Sequence, residues 1–310
     1  MVKLRNRTLS ALALALCATI AQPALSDGGG GGGGGSAMPS SNAPDYDPVA
    51  EYRNGITAFE ALDYKKAVRA FKRVVAVAPD HAPAQYLLGA SFIGLSDYKH
   101  AVRPLEAAIK ADPAMLDAQR DLAISYAKVG KAEKATAQRD LIQAKQVACA
   151  GTCPQAAALD AALAAVDAAL AGASPQALGP SHPLLPLGSI DATYVQAVAL
   201  INEGRYEPAI ALLEDALWSA GPHPDLLTYL GFANRKLGRI DPARRWYGQA
   251  LAVAPNHRGA LEYYGELKLL QGDRAGALDH LARLERVCGY GCVQADELRA
   301  QISGAEQSAS

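Results

Sequence analysis

With 310 residues, half of them hydrophobic, and 30 Lys and Arg set against 31 Asp and Glu, the chain carries a net charge of −1 at neutral pH. That balance argues against a nucleic-acid footprint, which needs a concentrated basic face. The length is enough for two modest cores.

Residues 1–26 read as an export signal. Lys3, Arg5 and Arg7 give a basic start, Ala11 to Ala21 an apolar core, and Ala24 and Ser26 the small residues of a cleavage site. That core of about 11 residues is well short of the roughly 20 a spanning helix needs, so no membrane span is expected in the mature chain. Cleavage near Ser26 would place the protein in a periplasm or outside the cell. Acylation at Cys17, where Leu14-Ala15-Leu16-Cys17 resembles a lipobox, is the alternative. Residues 27–47 form a flexible linker built on the glycine run Gly28 to Gly35. No Gly-Lys-Ser/Thr follows that run, so it is not a phosphate cradle.

From Pro48 the pattern turns helical. Pro48 to His81 reads as one helix bearing Tyr52, Gly55, Ile56 and Phe59, then a second starting at Asp63-Tyr64. Ala82 to Met115 repeats the scheme with Pro104 inside its second helix. Loss of the ladder bond to His100 predicts a kink there, costing up to ~3 kcal/mol. A third pair runs on to Cys149. Pro154 to Ala171 is an alanine-rich helix with Leu159, Ala162, Leu163, Val166 and Leu170 on one face, suited to covering the third pair. Residues 172–189 contain four prolines and read as a semi-rigid linker.

The second run is clearest from Pro224 to His257. Leu227, Leu230 and Ala233 mark one helix; Ala243, Tyr247, Ala250 and Leu251 mark the next, at three- or four-residue steps. Gly238 can close the first helix in a left-handed conformation. Asp241-Pro242 opens the second, and Pro255 stops it. A last short cap is expected over Ala295 to Ile302, with residues 304–310 as a disordered tail.

These marks recur at one fixed spacing. Gly55, Gly89, Gly231 and Gly265 share one helix seam, and Ala67, Ala101, Ala135, Ala209, Ala243 and Ala277 the other. Phe71, Leu105, Leu213, Tyr247 and Leu281 follow four residues on. Gly130, Gly204, Gly238 and Gly272 share the hairpin turn, and Pro79, Pro113 and Pro255 close repeats. A single larger offset carries Ala67 onto Ala209, Gly89 onto Gly231, Pro113 onto Pro255 and Ala135 onto Ala277, so a three-repeat unit is duplicated. The pattern resembles the tetratricopeptide repeat over Pro48 to about Cys149 and Ile190 to about Cys288. The resemblance implies an all-α solenoid of six helical hairpins in two three-repeat modules, 48–171 and 190–303, each with a capping helix. It also implies a non-enzymatic scaffold or adaptor, here of the cell envelope, that binds other proteins or peptides in concave grooves and needs no cofactor.

In that family the first helix of every repeat lines the concave side. This assigns Tyr52, Ile56, Phe59, Tyr86, Ile93, Arg120 and Lys128 to the first groove. Tyr194, Val198, Asn202, Phe232, Arg235, Lys236, Glu262 and Glu266 fall to the second. Tyr52 and Ile56 stand where some members hold the Lys and Asn that clamp a terminal carboxylate, so that clamp is absent. The aromatic and aliphatic mix suits a peptide gripped by its apolar side chains. The competing reading packs the same aromatics between repeats.

Cys149-Ala-Gly-Thr-Cys153 and Cys288-Gly-Tyr-Gly-Cys292 end the two modules at equivalent places. In an oxidising compartment each pair is expected to close a disulfide that staples the last repeat to its cap. Alternatives are a redox pair, a soft-metal site such as Cu(I), or pairing between modules. Reactive pairs are usually spaced by two residues, and Cu(I) wants more sulfur than two thiolates supply. The histidines assemble no site: His81, His223 and His257 fall in turns, while His100 and His280 stand alone on helices. No zinc-protease, nucleophile-elbow or Walker motif occurs, so neither catalysis nor a resident metal is expected.

Overall fold

Each hairpin is written locally before it is packed. In the computed structural model, which describes residues 45–172 and 187–309, the first half holds three helix pairs: α1 (Pro48–Glu60) with α2 (Tyr64–Val77), α3 (Ala82–Gly94) with α4 (Tyr98–Ala111), and α5 (Leu116–Lys128) with α6 (Ala132–Cys149). A single helix, α7 (Ala156–Leu170), follows. The second half repeats that order with α8 (Leu187–Asn202) and α9 (Tyr206–Ala220), α10 (Pro224–Lys236) and α11 (Ile240–Val253), α12 (Arg258–Leu270) and α13 (Arg274–Cys288), then α14 (Val293–Ala309). No strand occurs among the described residues. The export signal, the glycine run, Cys17 and most of the proline-rich linker lie outside them.

Side chains fix the helix starts. Asp47, Asp63, Asp97 and Asp273 each accept a first-turn N–H, of α1, α2, α4 and α13; such an oxygen satisfies one of the donors a helix leaves unpaired. His81 and His257 do the same with a ring nitrogen: Ala84 N–H donates to His81 Nδ1 at 3.1 Å and Ala260 N–H to His257 Nδ1 at 3.2 Å.

The turn inside each hairpin demands a left-handed residue. Gly130, Gly204, Gly238 and Gly272 meet that demand, with φ of 77°, 74°, 74° and 75°. In the first two hairpins the same place holds Leu62 at φ 59° and Ser96 at φ 58°, where a Cβ crowds the following carbonyl. The seam within the hairpins is just as specific. A Cβ on Gly55 would sit 2.7 Å from the Phe71 ring, one on Gly89 2.6 Å from Leu105, and one on Gly231 2.5 Å from the Tyr247 ring. The missing side chain makes room for the large residue opposite, so α1 on α2, α3 on α4 and α10 on α11 cross closely.

First helices of neighbouring hairpins also pack on one another: α1 on α3, α3 on α5, α8 on α10 and α10 on α12. The layer of first helices is therefore the inner side of the stack. At the far end of each half a lone helix covers the last hairpin. α7 buries Leu159, Ala162, Leu163 and Val166 against α5 and α6, and α14 buries Ala295, Leu298 and Ile302 against α12 and α13. At the other end the halves meet through their first hairpins. α1 packs on α9, Trp218 joins the buried cluster of α1 to α6, and Val77 and Ala78 join that of α8 to α12.

α14 stays helical through residues 304–309, where a disordered tail is expected. Gly304 is the only weak residue there, costing about 1 kcal/mol among good helix formers, with no proline to stop the helix. α4 runs helical from Tyr98 to Ala111 with the buried Pro104 inside it, where the sequence places that proline.

Candidate partner-binding surfaces

The inner face differs sharply between the halves. In the first, Tyr52 is fully buried, edge-on to Phe71 at 5.7 Å and to His81 at 5.4 Å. Its hydroxyl donates to the Trp218 carbonyl at 2.7 Å. Tyr86, also fully buried, meets the Trp218 indole edge to face at 5.9 Å. Arg120 is buried between two carboxylates, its Nη1 2.9 Å from Asp117 and its Nε 2.7 Å from Asp121. Burial raises the Asp121 carboxyl, and Arg120 opposes that rise. Ile56, Phe59 and Ile93 are half-buried against the same core. Tyr52, Tyr86 and Arg120 thus have no free face for a ligand here, because the second half and neighbouring acids already cover them.

The second half offers a different surface. Tyr194 and Tyr229 meet edge to face at 5.7 Å, and Phe232 and Tyr263 lie 5.1 Å apart; all four rings are half-buried. The Arg235 guanidinium lies over Phe232 at 5.3 Å and Tyr263 at 5.8 Å, and its Nη2 pairs with Glu266 at 2.5 Å. Lys236, exposed, sets its ammonium 5.2 Å from the Phe232 ring centre. Phe232, Arg235 and Lys236, expected in one groove, do come together, and Tyr194 lies in the same aromatic row. Tyr229 and Tyr263 stand outside the residues that the sequence pattern assigns to this groove. They lie one repeat apart, each two places before the Gly231 and Gly265 of the seam, and that shared register is the signal that could have found them.

The row ends differently at its two sides. Towards the first half, a cavity of about 170 Å³ is walled by Tyr194, Leu226, Asp225, His223 and Arg53. His257 Nε2 lies 2.9 Å from Asp225 Oδ1, and this hydrogen bond holds the Asp225 carboxyl below its ordinary range. Towards α14, Glu262 is buried beside Glu297 and Glu266; burial first, then the Glu297 carboxyl, raises Glu262 above the ordinary carboxylate range. Gln301 donates to Glu266 at 2.6 Å. Burial and the neighbouring carboxylates push the Tyr263 phenol up to about 12.

Both cysteine pairs are closed, Cys149 with Cys153 and Cys288 with Cys292. Among the described residues no group of three or more His, Cys, Asp or Glu is placed to hold a metal ion, and no helix is long and apolar enough to cross a membrane.

Residues 52–98 match the family model of the tetratricopeptide repeat. That stretch, from α1 to the start of α4, carries a tetratricopeptide repeat. Over 92 residues this repeat protein is 30% identical to the probable biofilm formation methyltransferase WspC of Pseudomonas aeruginosa, a match covering 30% of this chain and 22% of that one. Over 100 residues it is 33% identical to cellulose synthase 2 operon protein C of Komagataeibacter xylinus, covering 32% and 8%. The matches thus span less than a quarter of either curated relative. Solved structures similar to it include the TPR2AB-domain:pHSP90 complex of yeast Sti1 (14% identity, 83% of this chain, 98% of that one, TM-score 0.36). PilW, a type IV pilus biogenesis factor, is 12% identical over 81% and 97% of the two chains with a TM-score of 0.32. MamA is 16% identical over 68% and 93%, with a TM-score of 0.29.

Proposed function

We propose that this tetratricopeptide-repeat protein is an exported, non-enzymatic scaffold or adaptor of the cell envelope. It takes a partner polypeptide on the inner face of α8, α10 and α12. The observation that carries this reading is the half-exposed row Tyr194, Tyr229, Phe232 and Tyr263, with Arg235 and Lys236 stacked on it. Rings held by a rigid helical layer bind at low entropic cost, and truncating such an anchor typically costs about 1 kcal/mol or more. The pairing of Arg235 with Glu266 cancels its charge, so recognition rests on apolar and ring contacts more than on net charge. Export is supported by the basic and apolar pattern of residues 1–26 and by two disulfides of the kind that persist in oxidising compartments. Residues 48–171 and 190–303 act as the two repeat modules, joined by 172–189. The methyltransferase in one relative's name stays with that protein.

A photo-crosslinking residue placed at Tyr263, and in a parallel variant at the exposed Arg245 of α11, tests the reading in cells of the source. Polypeptide adducts at position 263, absent at 245 and lost on Tyr229→Ala, are expected. Equal adducts at both positions, or none at 263, would overturn it.

A further inference from the structure

The turn that ends α9 is held by the first half in the way a repeat groove holds a ligand. Trp218, Ser219, Ala220, Gly221 and Pro222 are all buried. Their cover includes residues from the opposite half. The Trp218 carbonyl belongs to the last turn of α9, where four carbonyls lack helical partners; the Tyr52 hydroxyl donates to it at 2.7 Å. The indole edge meets Tyr86 and shares a buried cluster with Tyr52 and Phe71. Gly221, at φ 78°, passes so close that a Cβ there would lie 2.5 Å from the Tyr52 ring. Tyr52 and Tyr86 occupy the same register on α1 and α3, each three places before its seam glycine, Gly55 or Gly89, on the inner layer where a partner would bind. Across this contact Trp218 lies in the first half's buried cluster and Val77 and Ala78 in the second's, while each half keeps its own glycine seams and its own capping helix.

We propose that Trp218–Pro222 is a built-in occupant of the first half's inner face, a latch that joins the halves and must leave before that face can take a partner. The partner it excludes would present a similar element: one large aromatic ring followed by a turn of small residues. This inference concerns the first half and stands apart from what the second half holds.

Full-length Trp218→Ala removes the ring, and Gly221→Val independently wedges the turn away from Tyr52. Helix content by circular dichroism, radius of gyration by small-angle X-ray scattering, and binding of a labelled synthetic peptide of residues 215–224 are measured on both and on the wild type. Both variants are expected to keep wild-type helix content and to show a larger radius of gyration. They should bind the peptide at least about tenfold more tightly than the wild type, since apparent affinity falls with the fraction of open molecules; adding Tyr86→Ala should abolish that gain. Loss of helix content in both variants would make the contact ordinary core. An unchanged radius, or peptide binding no tighter than to the wild type, would equally overturn the latch.

Discussion

At the scale of single residues, the costs sit where the repeat departs from its own rule. Leu62 and Ser96 hold a left-handed backbone that four glycines hold elsewhere. A side chain there costs roughly 1–2 kcal/mol, and Leu62 gains little in return, being 68% exposed. Leu62→Gly is therefore expected to stabilise the protein by about 1 kcal/mol in urea titrations, with helix content unchanged. The buried His81 offers a second case. It caps α3 as a neutral ring, and burial lowers its pKa to about 3. Because the folded value lies below the unfolded one, the stabilisation is full above about pH 6.5 and is lost as the pH falls towards 3. His81→Asn keeps a capping oxygen but cannot titrate. Its unfolding free energy should fall less steeply between pH 6.5 and 4, by up to about 1.4 kcal/mol per pH unit; His280, lowered to about 4 by burial, keeps part of the slope. An unchanged slope would show that His81 is not the titrating group.

At the scale of elements, the helices were legible because their signals are local. Aspartate before the helix, glycine in the turn and a glycine opposite Phe71 or Tyr247 act within a few residues or one repeat, and recur at fixed spacing. The capping helix α7 was legible in extent, but not in which face it buries, because the side opposite Leu159, Ala162, Leu163 and Val166 is also mostly alanine. Less legible was which lining side chains stay open. Tyr52 and Tyr194 lie at equivalent places in the two duplicated units, yet one is buried and the other half-exposed. Their difference comes from a contact with Trp218, 166 residues from Tyr52, which no periodicity encodes. The disulfides belong to this scale too. Each links residues only 4 apart in sequence, so little unfolded-state entropy is removed. Reduction should lower stability by less than the ~3 kcal/mol of a 15-residue loop and leave the helices of both halves formed. A drop in helix content on mild reduction would show that α7 or α14 depends on its staple.

At the scale of the whole molecule, the arrangement follows from covering apolar faces. A helical hairpin cannot bury both sides alone, so each stack must end on something. Here α7 and α14 end the two stacks on one side, and the halves end each other on the other, through α1, α9, Trp218 and Ala78. The inner layer of α8, α10 and α12 keeps its aromatic row half-exposed, with Tyr194, Tyr229 and Tyr263 in it. The first inner layer has the same origin in the duplicated three-repeat unit but has been turned inward.

The two lids, α7 and α14, carry a consequence for how such a chain can lengthen. Among the described residues each lid buries its apolar face on the last hairpin, so the bare hairpin face on which another copy could thread itself into a fibre is covered. Growth by further duplication would have to enter between existing hairpins, pushing a lid outward by one unit while leaving the central joint and its tryptophan untouched.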